Sequence, residues 1–151
     1  HQPMFIAEGQ YGIVFNGEIY NFKELRTELE QLGHIFKSSS DTEVILYAFL
    51  EWGINSFRKL KGMYAFALLD NSKNELYLVR DPQGIKPLYY YHENGILAFA
   101  SEMKAFKDLD FTQTPNPYWP IAFLSFGHLP EPMTTLKDVF MLAKGRFLRV
   151  K

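Results

Sequence analysis

The strongest limit on the fold of this chain is a nearly continuous apolar run from Met63 to Leu69. A polar turn over residues 70–74 separates it from a second apolar stretch over residues 76–79. A sheet with one face in water alternates apolar and polar residues, so strands as uniformly apolar as these need cover on both faces. We therefore predict a sheet buried on both sides, in a chain of 151 residues that suffices for one domain.

Two amphipathic helices are predicted ahead of that run. Asn21 is a suitable N-cap for the first, and Glu24 three positions later makes the pair a candidate capping box. Ser40 and Glu43 stand in the same relation at the start of the second helix. Apolar residues recur at helical spacing after each cap, and each pattern ends at a glycine, as helix C-termini often do.

The rest of the chain indicates hairpins and short helices. Loops that contain glycine predict hairpins over residues 4–15 and 88–100, and Ser101 is a candidate cap for a short helix that ends at Phe106. Strands in hairpins with two helices inserted early indicate an α/β fold of the α+β type, unlike the alternating order of a doubly wound parallel sheet. Three more elements are predicted: a brief helix over residues 55–60, an apolar helix over 118–126 and a last strand over 146–150.

The composition excludes several classes of protein. Sixteen Lys and Arg against seventeen Asp and Glu give a net charge of −1, which argues against an electrostatic hold on nucleic acid or on an acidic membrane surface. No apolar stretch approaches the ~18 residues of a membrane span. The chain has no cysteine, which excludes a disulfide or a thiol nucleophile within it. The four histidines lack the paired spacing of metal ligands, so no metal site is predicted; they are His1, His34, His92 and His128.

The first candidate site is Asn16-Gly17-Glu18, at the predicted junction between a strand and the first helix. An Asn side chain followed by Gly places an amide donor beside an unshielded backbone N–H, and such a pair can stabilise an oxyanion. Glu18 adds a carboxylate next to it. The same residues also fit a simple turn, in which Asn16 and Gly17 take positive φ and Glu18 gains from the helix dipole. Both interpretations are open at this point.

The second candidate is Asp41, just ahead of the second helix. Its carboxylate is placed to stabilise the helix N-terminus, where negative charge is favoured. The alternative is that Asp41 and Glu18 converge on the ammonium group of a substrate. Their separation along the sequence is compatible with both interpretations.

Five segments of the chain form a recognisable set: FNGEIYNFKEL (15–25), SDTE (40–43), GMYAFA (62–67), RDPQGIKPLYY (80–90) and FASEMKA (99–105). Together they resemble the glutaminase domain of glutamine-hydrolysing asparagine synthetases, with agreement in order and approximate spacing over nearly the whole chain. The Tyr20-Asn21 continuation of the first segment favours this family over the class II amidotransferases that make phosphoribosylamine or glucosamine 6-phosphate. The charged pair in the fourth segment, Arg80-Asp81, is interpreted as architecture rather than as catalytic.

The resemblance implies a class II glutamine amidotransferase domain with the N-terminal-nucleophile hydrolase fold, in which stacked, mainly antiparallel β-sheets lie between helical layers. In that family an N-terminal Cys attacks the side-chain amide of L-glutamine, and its own α-amino group acts as the base. Thioester formation releases ammonia, and water then frees glutamate. Carried over to this sequence, the Asn16 side chain and the Gly17 N–H form the oxyanion hole. Glu18 and Asp41 hold the α-ammonium group of the substrate.

The sequence departs from the family at its start. The family begins with Cys directly after the initiator Met, followed by an Arg-bearing segment that binds the glutamine carboxylate, and His1 matches a point downstream of both. We therefore expect a fold that is incomplete at its N-terminus and a chain that is inactive alone. We expect residues 1–151 to be a partial domain, with a core over about 1–107 and a run-out over about 108–151 towards a missing synthetase domain.

The resemblance also implies the partners. The parent enzyme couples glutamine hydrolysis to ATP-dependent amidation of aspartate to asparagine in the cytoplasm, and the synthetase domain, not this chain, brings ATP and magnesium. Unpaired strand edges on an apolar sheet favour self-association, whereas neither nucleic acid nor membrane is expected as a partner. Two alternatives stay open: a degenerate, non-enzymatic amidotransferase-like module for binding or assembly, and the glutaminase domain of another class II amidotransferase.

Overall fold

The computed structural model describes residues 2–110 and 113–151; His1, one of the four histidines considered above, lies outside them. Its helices are α1 (Phe22–Gln31), α2 (Asp41–Trp52) and α3 (Trp119–Phe126). The strands are β1 (Met4–Ile6), β2 (Tyr11–Ile19), β3 (Gly62–Asp70), β4 (Glu75–Arg80), β5 (Tyr89–Glu93), β6 (Ile96–Ala100), β7 (Phe140–Met141) and β8 (Phe147–Val150).

The strands form two antiparallel sheets. The first has the order β1-β2-β3-β4-β8, and the second has the order β6-β5-β7. The longest pairing joins β2 to β3 over nine residue pairs, from Tyr11 opposite Asp70 to Ile19 opposite Gly62. This register brings the end of β2 beside the start of β3, and the candidate site lies there.

The first sheet is buried on both faces, as its apolar strands predict. Tyr64, Phe66 and Leu68 of β3 pack on one side in a cluster that includes residues of α1 and α2. The alternate residues of the same strand, Ala65 and Ala67, face the second sheet. The 3-10 turn Met103–Phe106 contributes a buried side chain to a third cluster, together with β5 of the second sheet. The predicted α+β class with stacked antiparallel sheets is confirmed.

The start of α1 differs from the prediction. Asn21 precedes the helix, but its side chain makes no capping hydrogen bond, so the capping box with Glu24 is wrong. Instead, the Asn21 Nδ2 donates to the carbonyl of Lys59 at 2.9 Å, and its Oδ1 accepts from the Lys61 N–H at 2.9 Å. The amide thus ties the start of α1 to the segment that leads into β3.

At the start of α2, the predicted cap is present but the predicted capping box is not. The Ser40 hydroxyl accepts from the Thr42 N–H at 3.2 Å, which is the expected cap. Glu43 does not return to Ser40. Its carboxylate accepts from the N–H groups of Lys37 and Ser38, each at 2.8 Å, and from the Ser38 hydroxyl at 2.6 Å. Glu43 therefore holds the loop before the helix rather than completing a capping box.

The Arg80-Asp81 pair is part of the architecture, in agreement with the interpretation above. Asp81 is fully buried, and four backbone N–H groups donate to its carboxylate. The Arg80 guanidinium donates to three backbone carbonyls and to Glu131. The donors to Asp81 are Tyr64, Gln83, Ile85 and Lys86.

The C-terminal third of the chain contributes to both sheets. β7 pairs with β5 and β8 pairs with β4, so a boundary near residue 107 does not separate one sheet from the other. α3 ends at Phe126 as predicted, with Gly127 directly after it, but only Ala122 of this helix is buried. Within residues 2–110 and 113–151, no helix combines the length and the apolar character that crossing a membrane requires.

Candidate active site

Side chains cap the free edge of β2 on either side of Gly17. Gln2 bonds to both backbone groups of Phe15: its Oε1 accepts from the Phe15 N–H at 2.6 Å and its Nε2 donates to the carbonyl at 2.7 Å. The Asp41 Oδ2 accepts from the Ile19 N–H at 3.0 Å. β1 pairs with β2 only from Tyr11 to Ile13, so these two side chains occupy the edge of β2 beyond Met4, the first residue of β1.

Gly17 lies midway between the two capped positions. Backbone groups alternate in direction along a strand, so those of residues 15, 17 and 19 point to the same edge, away from β3. No side chain in the described part of the chain bonds to the Gly17 N–H. This donor is therefore available to a ligand at the sheet edge.

Gly17 also has the conformation of a glycine position. Its φ is +150°, and a Cβ there would overlap the carbonyl oxygen of Met63 and lie 2.7 Å from the Tyr64 Cα. The simple turn considered for Asn16-Gly17 is wrong, because β2 continues through both residues to Ile19. That interpretation assigned a positive φ to both residues, and only Gly17 has one. The close approach of β3 leaves no room for a Cβ at this position.

The Asn16 side chain lies on the opposite face of β2 from Ile19 and points towards the second sheet. Its Nδ2 donates to the Ser101 hydroxyl at 3.1 Å, a contact between residues 85 positions apart. Both residues line an open cleft of about 250 Å³ between the two sheets. Small side chains from β3, Ala65 and Ala67, line the same cleft.

The two predicted carboxylates come to the same end of β2. Glu18 is exposed and follows Gly17 directly, and Asp41 binds the backbone of the next residue, Ile19. The second oxygen of Asp41, Oδ1, makes no hydrogen bond with any residue in the described ranges. The structure thus brings all four predicted site residues into one region, with Asp41 at the first position of α2.

The loop that carries Asp41 is fixed by Glu43. Burial opposes ionisation of this carboxyl, but the hydrogen bonds from Lys37 and Ser38 outweigh it and hold the pKa of Glu43 below its usual value. The ionised side chain therefore anchors the turn immediately before Asp41. Glu43 was singled out in the sequence only as a helix cap.

Two residues near the site were not predicted from the sequence. Ser101 was interpreted as a helix cap, but the turn Met103–Phe106 begins at Glu102 with no side-chain cap, so that interpretation is wrong. The sequence signal for Ser101 is that it lies in the FASEMKA segment (99–105), one of the five segments that resemble the family. The sequence contains no pattern that marks Gln2. Its side chain bonds to the backbone of Phe15 in the way that a neighbouring strand would, and this role has no sequence signature.

The chemistry of this region is that of anion and cation recognition. An amide N–H and a backbone N–H on adjacent residues can stabilise a developing oxyanion, and two carboxylates beside them can hold an ammonium group. Among the described residues there is no cluster of three or more His, Asp or Glu side chains placed to hold a metal ion.

Solved amidotransferases share this architecture. Glutamine phosphoribosylpyrophosphate amidotransferase from Bacillus subtilis superposes with a TM-score of 0.60 and 32% identity, over 70% of this chain and 25% of that one. A glutamine aminotransferase class-II domain protein from Silicibacter pomeroyi matches 96% of this chain and 65% of its own with a TM-score of 0.55; at 18% identity, this likeness concerns the fold alone. The fold is that of the N-terminal-nucleophile amidotransferases.

The family model for the glutamine amidotransferase domain matches residues 1–151, and the chain belongs to this family. Asparagine synthetase [glutamine-hydrolyzing] 1 of Bacillus subtilis is 41% identical over 137 residues, 88% of this chain and 21% of the relative. A putative asparagine synthetase [glutamine-hydrolyzing] of Mycobacterium tuberculosis is 39% identical over 100% of this chain and 24% of its own length. The chain thus spans about a fifth to a quarter of these relatives, and the resemblance to asparagine synthetases is confirmed.

Proposed function

We propose that this chain is the glutaminase part of an asparagine synthetase, in which hydrolysis of L-glutamine to glutamate supplies ammonia for ATP-dependent amidation of aspartate. The names and identities of the relatives support this assignment. The partner is a synthetase domain, which would hold ATP and magnesium, and the setting is the cytoplasm. The observation that carries the proposal is the Gly17 N–H at the sheet edge beside the Asn16 amide, to which no side chain of the described residues bonds.

Each site residue has a distinct role in this proposal. The Asn16 side chain and the Gly17 N–H donate to the oxyanion that forms when the glutamine amide is attacked. Glu18 and the free oxygen of Asp41 accept hydrogen bonds from the α-ammonium group of the substrate. The cleft between the sheets receives the side-chain amide.

The nucleophile is outside these 151 residues, since the sequence has no cysteine. We therefore expect the purified chain to release no glutamate from glutamine, because thioester chemistry needs a thiol. An enzyme-coupled glutamate assay on the chain, freed of contaminating glutaminases, checks this. Sustained glutamate release by the chain alone would contradict it.

The direct test is a chimera, in which the part of this chain that aligns with the Bacillus subtilis asparagine synthetase 1 replaces the corresponding segment of that enzyme. We expect the chimera to hydrolyse glutamine. We expect Asn16→Ala to lower kcat about 100- to 1,000-fold, which is the usual effect of losing one oxyanion donor. Asn55→Ala is the matched control, because the Asn55 side chain is exposed and makes no hydrogen bond with any described residue.

Asparagine formation with added ammonium chloride bypasses the glutaminase step and reports whether the chimera has folded. A chimera that uses ammonium but not glutamine would contradict the proposal. So would an Asn16→Ala variant as active as the Asn55→Ala control.

Asp41 allows charge and hydrogen bonding to be separated. Asp41→Asn keeps an oxygen for the Ile19 N–H but removes the negative charge that faces the ammonium group. We expect it to raise the KM for glutamine about 10- to 100-fold, the range of a hydrogen bond to a charged group. Asp41→Ala should raise KM similarly and also lower the chimera's thermal midpoint. An unchanged KM in Asp41→Asn would remove Asp41 from the substrate site.

A further inference from the structure

The strand β2 alone does not hold the Asn16 side chain in one orientation. It is exposed at the end of β2, and an Asn side chain rotates about two bonds. The one hydrogen bond that this side chain makes with the described residues runs from Nδ2 to the Ser101 hydroxyl at 3.1 Å. Nδ2 carries two hydrogens, so this bond occupies one of them and leaves the second free for a ligand in the cleft.

The position of Ser101 is set independently of the first sheet. Ser101 follows the last residue of β6, Ala100, which is paired with Tyr89 of β5. Its hydroxyl caps no helix and bonds to no described residue other than Asn16. The second sheet thus places an acceptor, the Ser101 hydroxyl, within hydrogen-bond distance of the Asn16 amide on the first sheet.

We infer that Ser101 is a positioning residue for glutamine hydrolysis, which it assists by holding the Asn16 amide in the orientation that meets the oxyanion. This inference rests on the proposed function. The oxyanion carries its charge only as the amide is attacked, so correct orientation of the donor matters for the transition state more than for substrate binding. Loss of the Ser101 hydroxyl therefore acts on kcat and leaves KM nearly unchanged.

The kinetic test uses the same chimera and its kcat for glutamate release. We expect Ser101→Ala to lower kcat on the order of 10-fold, with a KM for glutamine that changes less than about twofold. Ser101→Thr keeps the hydroxyl and should retain most of the activity. In the Asn16→Ala background, Ser101→Ala should cause no further loss, because its effect passes through Asn16. Ammonium-dependent asparagine formation should be the same in all four variants.

A second measurement does not depend on activity. In the 151-residue chain, nuclear spin relaxation of the Asn16 side-chain amide should show greater mobility in Ser101→Ala than in the wild type, and Ser101→Thr should restore the wild-type order. Equal order in wild type and Ser101→Ala would overturn the inference, as would losses in kcat that add to those of Asn16→Ala. If the wild-type chimera uses ammonium but not glutamine, the proposed function fails, and with it the catalytic part of the inference.

Discussion

The backbone of Gly17 is tightly constrained by the neighbouring strand β3. Gly17→Ala places a Cβ against β3 at a φ of +150°, and we expect it to lower the free energy of unfolding by about 3 kcal/mol. Gly95→Ala is the matched control: Gly95 also has a positive φ, of +75°, but nothing lies within 4 Å of its Cβ position. That variant should lose only about 1–2 kcal/mol.

Urea unfolding followed by circular dichroism measures both variants. Equal losses would mean that φ alone, and not the contact with β3, makes glycine necessary at position 17.

At the scale of single residues, the sequence predicts candidate site residues whose own side chain or backbone carries the proposed chemistry. Asn16, Gly17, Glu18 and Asp41 were selected from residue type and neighbours, and the structure brings them together. Ser101 stands out in the sequence only as a candidate helix cap. Its contact with Asn16 could not be predicted, because the two residues lie 85 positions apart and no local pattern indicates such a contact.

At the start of α1, the observed role of Asn21 differs from the predicted one. If Asn21 were a cap, Asn21→Ser would preserve stability, because serine caps equally well. The structure instead uses both ends of the amide to hold Lys59 and Lys61, which a hydroxyl cannot span. We expect Asn21→Ala and Asn21→Ser each to lower the free energy of unfolding by about 1–2 kcal/mol. Chemical denaturation at neutral pH decides between the capping role and the bridging role of Asn21. A fully stable Asn21→Ser would restore the capping interpretation.

Elements were predictable where periodicity determines them. The apolar run from Met63, the helix after Ser40 and the stops at Gly53 and Gly127 follow from local spacing and backbone preference. The wrong predictions concern the hydrogen-bond partners of polar side chains at the ends of helices. A residue that caps a helix and a residue that binds a distant backbone group have the same local sequence pattern. β7, a strand of two residues, is too short to leave a period in the sequence.

Considered as a whole, the molecule depends on buried carboxylates that must stay ionised. Burial opposes the charge of Asp81, but the N–H groups of Lys86, Ile85, Tyr64 and Gln83 outweigh it and hold the pKa of this carboxyl below its usual value. A folded-state pKa below the unfolded value of about 3.9 stabilises the fold above that pH. This contribution is lost as the pH falls through the folded-state pKa.

The expected result is a free energy of unfolding that decreases as the pH falls below about 4. Asp81→Asn should cost about 2–4 kcal/mol at pH 7, because its amide presents a donor to a site made of donors. The difference between wild type and Asp81→Asn should shrink in acid, because only the wild type loses stability to protonation at position 81. Urea unfolding at pH 7 and pH 3 tests this, and a deficit of the same size at both values would contradict it.

Self-association of the chain stays a prediction. The outer edge of β6 is unpaired in the sheet order, and Ile96 on this strand is 44% exposed. An open edge of this kind pairs readily with a second chain, and a lysine on it discourages the pairing. Light scattering over a wide concentration range should therefore give a mass above 17.6 kDa, and Ile96→Lys should reduce it. A constant 17.6 kDa for the unmodified chain would refute the prediction.

The bond between Asn16 and Ser101 also fixes when the site can form during folding. β1 to β4 come from the first 80 residues and pair in chain order, so this part of the first sheet can assemble early from local contacts. The apolar layer between the sheets, however, includes Leu142 and Leu148, which follow Ser101 in the sequence and are synthesised after it. The contact between Asn16 and Ser101 is therefore completed only after these two leucines have been made, later than the pairing of β1 to β4.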